Sequence, residues 1–191
     1  MLARLQEEAT AAGAPVEWSP AAAVDPVLGE LVVSAATDAD ARGEAAYALE
    51  AIFEGFLCHQ GSPRLAGSGD GDVALLTGDL LYAIGLEAVA SVGDTAAVRA
   101  LADLIGLSAA VASEGRLTAL VPIWQAQALV LADPEGEGFE DLLEAVGGGI
   151  DRDGAALAEA ARDRASGAGA DGAFDRVGEA LQSLAEVAPE T

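Results

Sequence analysis

Apolar residues recur three and four positions apart along nearly the whole chain, the spacing that gathers side chains on one face of an α-helix. A first helix is expected over 2–12, closed by Gly13 and Pro15, with a connector through Trp18, Pro20 and Pro26. Val27, Leu28, Leu31, Val32 and Ala35 mark the apolar face of a second helix over 27–36. Thr37 and Asp38 offer N-cap chemistry for a third that runs to about Cys58, with Tyr47, Leu49, Ile52, Phe53, Phe56 and Leu57 as its apolar set. Gly, Ser, Pro and Asp crowd 61–71, which predicts a loop. A long helix over 72–92 stops at Gly93, and Asp94 caps the next, over 95–113. The run 117–132 predicts a further helix, adjusted by Pro122 about one turn in. Short helices are expected over 139–146 and 155–164, separated by Gly147, Gly148 and Gly149, and a last amphipathic one over 174–187 after a flexible linker at 166–169.

No stretch alternates with a period of two, and no fixed repeat occurs. The fold class is therefore all-α, a single bundle of about seven to eight helices, with residues 1–165 as its body and 166–191 as linker and C-terminal helix of the same domain. At 191 residues the chain can bury roughly 70% of the surface its unfolded form exposes, enough for a core without metal or disulfide. Cys58, the one cysteine, excludes a disulfide framework and a cysteine-based zinc site.

Charge narrows the function classes. Thirty-two acids against nine basic residues, all of them Arg, leave a net charge of −23. Such a surface repels nucleic acid and anionic membranes. The excess fits a cytoplasm of high salt, where carboxylates keep surfaces hydrated; coding bias alone would explain the missing lysine but not the charge. Acids Glu7 and Glu8 stand where a signal peptide has its apolar segment, and Asp79, Glu87 and Asp103 interrupt the longest apolar runs, so a cytoplasmic location without membrane insertion is expected.

Candidate chemistry concentrates in residues 50–87. Glu50-Ala51-Ile52-Phe53-Glu54 is followed by His59-Gln60-Gly61-Ser62-Pro63-Arg64 and then by Val73-Ala74-Leu75-Leu76-Thr77-Gly78-Asp79-Leu80-Leu81. In this order and spacing, without a gap, the segment resembles the front half of the trans-isoprenyl diphosphate synthases (polyprenyl synthetases), with their DDxxD motif, RRGxPT loop and following Gly-Asp helix. The resemblance covers about 27–115. It implies an isoprenoid-synthase bundle, truncated here, in which Glu50 and Glu54 stand at positions that hold Mg²⁺ and the His59, Gln60 and Arg64 loop stands on the diphosphate side.

The departures from that pattern point away from catalysis. Glu50 and Glu54 share a helix face, but the second carboxylate of the motif is Ala51, and Glu reaches one methylene further than Asp. His59 and Gln60 replace the two arginines that clamp diphosphate, so the permanent bidentate charge is lost and Arg64 is the one cation nearby. The family's later Lys-Thr pair has no counterpart, because the chain has no lysine; Asp151-Arg152-Asp153 is too close to serve as a second aspartate-rich motif. No cofactor is expected; Mg²⁺ at Glu50 and Glu54 is the one ion the pattern suggests, weakened by these changes.

The expectation is a non-catalytic protein with a vestigial site at Glu50, Glu54 and Asp79. It would act as partner or regulatory subunit of a full-length prenyl synthase, as a homodimer through its helices, or as a binder of an isoprenoid or diphosphate. A modified prenyl diphosphate enzyme using Glu50 and Glu54 is one alternative; an acidic helical-bundle interaction protein unrelated to isoprenoids is another. Phe53, Phe56, Tyr82 and Trp124 could line an apolar channel or simply pack the core. In so acidic a chain Glu50 and Glu54 could equally form a solvated face. Cys58 reads as a buried small apolar residue, and Asp70-Gly71-Asp72 as a turn and N-cap.

Overall fold

A computed structural model describes residues 1–67, 70–136 and 138–187. Its helices are α1 (Leu2–Ala11), α2 (Val27–Ala35), α3 (Gly43–His59), α4 (Gly71–Ser91), α5 (Thr95–Ser113), α6 (Leu120–Ala132), α7 (Glu140–Gly147), α8 (Ala155–Gly167) and α9 (Asp171–Val187). Among the described residues no strand forms; an antiparallel bridge joins Trp18 to Ala66. The fold is all-α, as the periodicity predicts.

Two helices carry the core. In α3 every residue from Ala45 to Cys58 is buried, and in α6 nearly every residue is. A helix apolar all round must be enclosed all round. Accordingly α3 lies among α1, α2, α4, α5 and α6, while α6 is covered by α2, α5, α8 and α9. The tightest pairing is α3 on α4, and glycines permit it. A Cβ on Gly55 would stand 2.8 Å from the Gly78 carbonyl oxygen, and one on Gly85 would stand 2.9 Å from that of Ala48.

Three expectations are modified. Asp38 does accept a hydrogen bond from the Ala41 amide, but the chain then makes a 3₁₀ turn, Asp40–Arg42, and α3 begins only at Gly43. The stretch 117–132 is divided into a 3₁₀ turn, Leu117–Ala119, and α6. Pro122 therefore falls in the first turn of α6, where its missing N–H has no helical carbonyl to meet. The expected flexible linker at 166–169 is a tight turn. Helix α8 runs to Gly167, Gly169 takes φ +71°, the Ala170 amide donates to the Ala165 carbonyl, and α9 starts at Asp171. Phe174, Val177 and Leu181 are then buried, and α9 packs on α2, α6 and α8.

Helices α4 and α5 form an antiparallel hairpin through Gly93, and Asp94 caps α5 by accepting from the Ala97 amide. Despite Asp79, Glu87 and Asp103, both are long and apolar enough to cross a membrane by length and composition, with mean hydropathy of 1.6 and 1.5. That corrects the expectation of no such run, although core helices of many folds satisfy the same measure. The outward side of the hairpin carries Leu75 and Leu76, both exposed.

Candidate functional site

Glu50 and Glu54 project from one face of α3, as their spacing requires, and both are fully buried. What that face meets is protein. One oxygen of Glu50, Oε1, accepts from the Leu28 amide at 2.8 Å and the Gly29 amide at 2.9 Å. These belong to the first turn of α2, whose N-terminal neighbour Pro26 supplies no side-chain cap. The carboxylate thus caps α2 from another helix and sits where the α2 dipole favours a negative charge. Glu54 does the equivalent for the loop after α3: its Oε1 accepts from the Leu65 amide at 2.6 Å and the Ala66 amide at 3.2 Å.

Arg64 joins the two. Its Nη2 donates to Glu50 Oε2 at 2.8 Å, its Nε donates to Glu54 Oε2 at 3.1 Å, and its guanidinium lies 4.5 Å over the Phe53 ring. Burial pulls the guanidinium pKa down, but Glu50 and Glu54 push it up, and the balance leaves it above its ordinary value. Two carboxylates and one guanidinium leave one net negative charge, and four backbone N–H dipoles point at it. A buried carboxylate is tolerated when paired and hydrogen-bonded in this way. The same loop is tied to the α1–α2 connector: the Ser19 amide donates to Leu65 O at 2.7 Å, and the Gly67 amide donates to Glu17 O at 2.7 Å.

The predicted site residues therefore separate. Glu50 and Glu54 are not a solvated face, and each of their four oxygens already accepts from a protein donor. Among the described residues no group of three or more His, Cys, Asp or Glu is placed to hold a metal. Arg64 is turned to the two glutamates rather than standing beside His59 and Gln60. Asp79 does not join the pair: its side chain is 71% exposed on α4. It stands 3.3 Å from His59 Nε2, within ion-pair reach but without a hydrogen bond. The His59 ring stacks on Tyr82 at 5.2 Å.

His59, Gln60, Asp79 and Tyr82 line an open groove of about 360 Å³ between α3, α4 and α5. Burial first, then the Asp79 charge, pushes the Tyr82 hydroxyl up to about 12. Phe53, Phe56 and Trp124 line a second cleft, of about 50 Å³ under Leu181 of α9, with the Trp124 ring 5.0 Å from that of Phe53 and 5.5 Å from that of Phe56. Phe56 lines both spaces, with Tyr82 in the groove and with Phe53 and Trp124 in the cleft. Cys58 is buried, and burial, with the Glu54 charge behind it, pushes its thiol up to about 12, so it is not a nucleophile.

Asp151, from the downstream acid cluster, caps α8 by accepting from the Ala155 and Ala156 amides, each at 3.0 Å. Asp70 caps α4 through the Asp72 amide, as its turn composition predicts. Sequence reading missed the interhelical cap. The absent capping side chain at Pro26 and the lone arginine ten residues after Glu54 were its only traces.

Comparison with protein-family models, with curated proteins and with solved structures finds no match.

Proposed function

We propose that this chain is a non-catalytic helical-bundle protein that works by association, as a partner or regulatory subunit. One observation carries the first half of this reading. The side chains at the positions where a prenyl synthase would hold Mg²⁺ are committed to Arg64 and to four backbone amides. Metal-assisted ionisation needs carboxylate oxygens free to face an ion and its diphosphate. Freeing them here would uncap α2 and strand a buried arginine. The groove on the other side of α3 offers His59 and Gln60, neither of which supplies a permanent positive charge for a diphosphate. Purified chain with allylic diphosphates, isopentenyl diphosphate and Mg²⁺ should give no elongation product, and turnover would overturn the proposal.

Two forms of this reading remain distinct. The ungapped register from Glu50 to Asp79 supports descent from an isoprenoid-synthase bundle, hence a full-length prenyl synthase as partner. The placement of Asp79 on the surface, away from the glutamate pair, favours an acidic interaction bundle without an isoprenoid connection. In either form the exposed side of the α4–α5 hairpin, with Leu75 and Leu76, is the apolar surface available for contact. Co-expression with a full-length prenyl synthase separates them: a complex that survives gel filtration and is lost on Leu76→Asp supports the first, and its absence supports the second.

A further inference from the structure

The α4–α5 hairpin presents an outward face on which charge and size are sorted. Along α4 the exposed positions Asp72, Leu76, Asp79, Ala83, Glu87 and Ala90 follow one another at steps of three and four residues. They therefore form one stripe, and every charge in it is negative. Among the described residues Asp72 and Glu87 make no ion pair, and Asp79, 71% exposed, has only His59 within reach. The exposed stripe of α5 is different in kind: Ala102, Gly106, Ala109 and Ser113 are uncharged and small. Arg99, the one arginine of the hairpin, lines another groove, beside Arg42 and Pro134. Asp79 from the first stripe and Ala109 and Ser113 from the second meet at the open groove of about 360 Å³, whose apolar walls are Phe56, Tyr82 and Ile105.

We infer that this face seats one amphipathic helix of another protein, its apolar side chains entering the groove over Phe56, Tyr82 and Ile105 and its Lys or Arg flank lying along Asp72, Asp79 and Glu87. The small side chains of α5 let a helix approach closely, and exposed Leu75 and Leu76 extend the apolar contact beyond the groove. Asp72 to Glu87 spans about 22 Å at 1.5 Å per residue, the length of about four turns of a partner helix. Charge selects the occupant. A second copy of this chain fits poorly, since its own face carries no arginine to meet these acids and each copy brings a charge of −23. Anionic membranes and nucleic acid are repelled by the same stripe. The inference rests on the association reading above and names the chemistry of the partner.

The test titrates the full chain into a fluorescein-labelled peptide of about 18 residues, helical by design, with Leu and Phe on one stripe, Lys along one flank, and Ala and Gln elsewhere. Its anisotropy in about 0.15 M KCl should saturate below about 0.2 mM protein. A scrambled peptide of the same composition, and a version with Glu in place of Lys, should not saturate. Ala109→Trp fills the groove from an exposed position and should weaken binding more than about ten-fold. Asp79→Asn should weaken it about two- to five-fold, the worth of one exposed ion pair, and keeps the test decisive if Ala109→Trp does not fold. Asp153→Asn with Glu179→Gln, which removes acids lining a different groove beside α6 and α9, should leave binding unchanged. The inference is overturned by no saturation, by equal binding of the scrambled peptide, or by unchanged binding in the Asp79→Asn chain. It is also overturned by sedimentation that shows a dimer of this chain dissolved by Ala109→Trp. A prenyl synthase complex lost on Leu76→Asp, with no peptide binding, would keep the association reading and remove this inference alone; turnover in the elongation assay removes that reading whatever the peptide does.

Discussion

At the scale of single residues, the Glu50, Glu54 and Arg64 cluster makes the sharpest claim. Arg64→Ala would leave two fully buried carboxylates with backbone amides but no cation, and removing one partner of a buried ion cluster typically costs about 3–5 kcal/mol. Glu54→Gln should cost less, since the amide oxygen still accepts from the Leu65 and Ala66 amides and Glu50 still pairs with Arg64, although the amide NH2 no longer accepts from Arg64 Nε and the charge is lost. Urea unfolding of the three chains gives the order; if Arg64→Ala unfolds at the wild-type midpoint, the cluster is not structural. A second expectation concerns alkali. The unfolded chain releases the Cys58 and Tyr82 protons near their ordinary values of 9.0 and 10.0, whereas the folded chain holds both to about 12. Over that window the folded state binds more protons, so stability is full below pH 9 and falls as pH rises toward 12. Melting temperature measured from pH 8 to 11 should decline, and Cys58→Ala should remove the part of the decline that starts near pH 9. The sequence located this site but not its role. Spacing put both glutamates on one face of α3, yet their partners are mostly backbone N–H groups, which every non-proline residue possesses and which no residue pattern advertises.

At the scale of elements, the helices were legible wherever cap and period agreed. Asp94, Gly93 and the Leu101, Leu104 and Val111 spacing define α5 at the bounds predicted for it. They were less legible where the same residues suit more than one kind of turn. The 3₁₀ turn before α3 follows Asp38 bonded to the Ala41 amide, and the tight α8–α9 turn is made by Gly169 at φ +71° with the Ala170 amide on the Ala165 carbonyl, so composition marked each place without fixing its form. The α3–α4 crossing is similar: Gly55, Gly78 and Gly85 carry no sign of it in the apolar pattern, yet they are where the backbones meet. Their substitution therefore has a sign that depends on place. Gly55→Ala puts a methyl group 2.8 Å from the Gly78 carbonyl oxygen, and because the obstacle is backbone, the helices must part, a cost of about 1–3 kcal/mol. Gly106 lies in the interior of α5, and a Cβ added there would meet nothing within 4 Å, so Gly106→Ala gains helix propensity and should stabilise by up to about 1 kcal/mol. Thermal melts of the two variants should move in opposite directions; a shift of both in the same direction would contradict the close crossing.

At the scale of the whole molecule, the net charge of −23 acts against the compact state, because folding brings the carboxylates closer together than the unfolded chain does. Salt has two opposed effects on such a protein. It weakens the surface ion pairs, such as Arg4 with Glu44, Arg162 with Asp175 and Arg176 with Glu30, each contributing at most about 1 kcal/mol. It also screens the repulsion among the remaining acids, whose range shrinks from about 10 Å at 0.1 M to about 3 Å at 1 M. With 32 acids and 9 arginines, most carboxylates have no cation to lose, so screening of repulsion should win. The melting temperature is expected to rise between 0.1 and 2 M KCl. The buried cluster supplies an internal control: Glu50, Glu54 and Arg64 lie out of reach of mobile ions, so the destabilisation caused by Arg64→Ala should stay nearly constant across the same range while the stability of both chains climbs. A melting temperature that is flat or falls with KCl would mean that surface pairing outweighs self-repulsion, and the acidic excess would then have no role in fitting the fold to high salt.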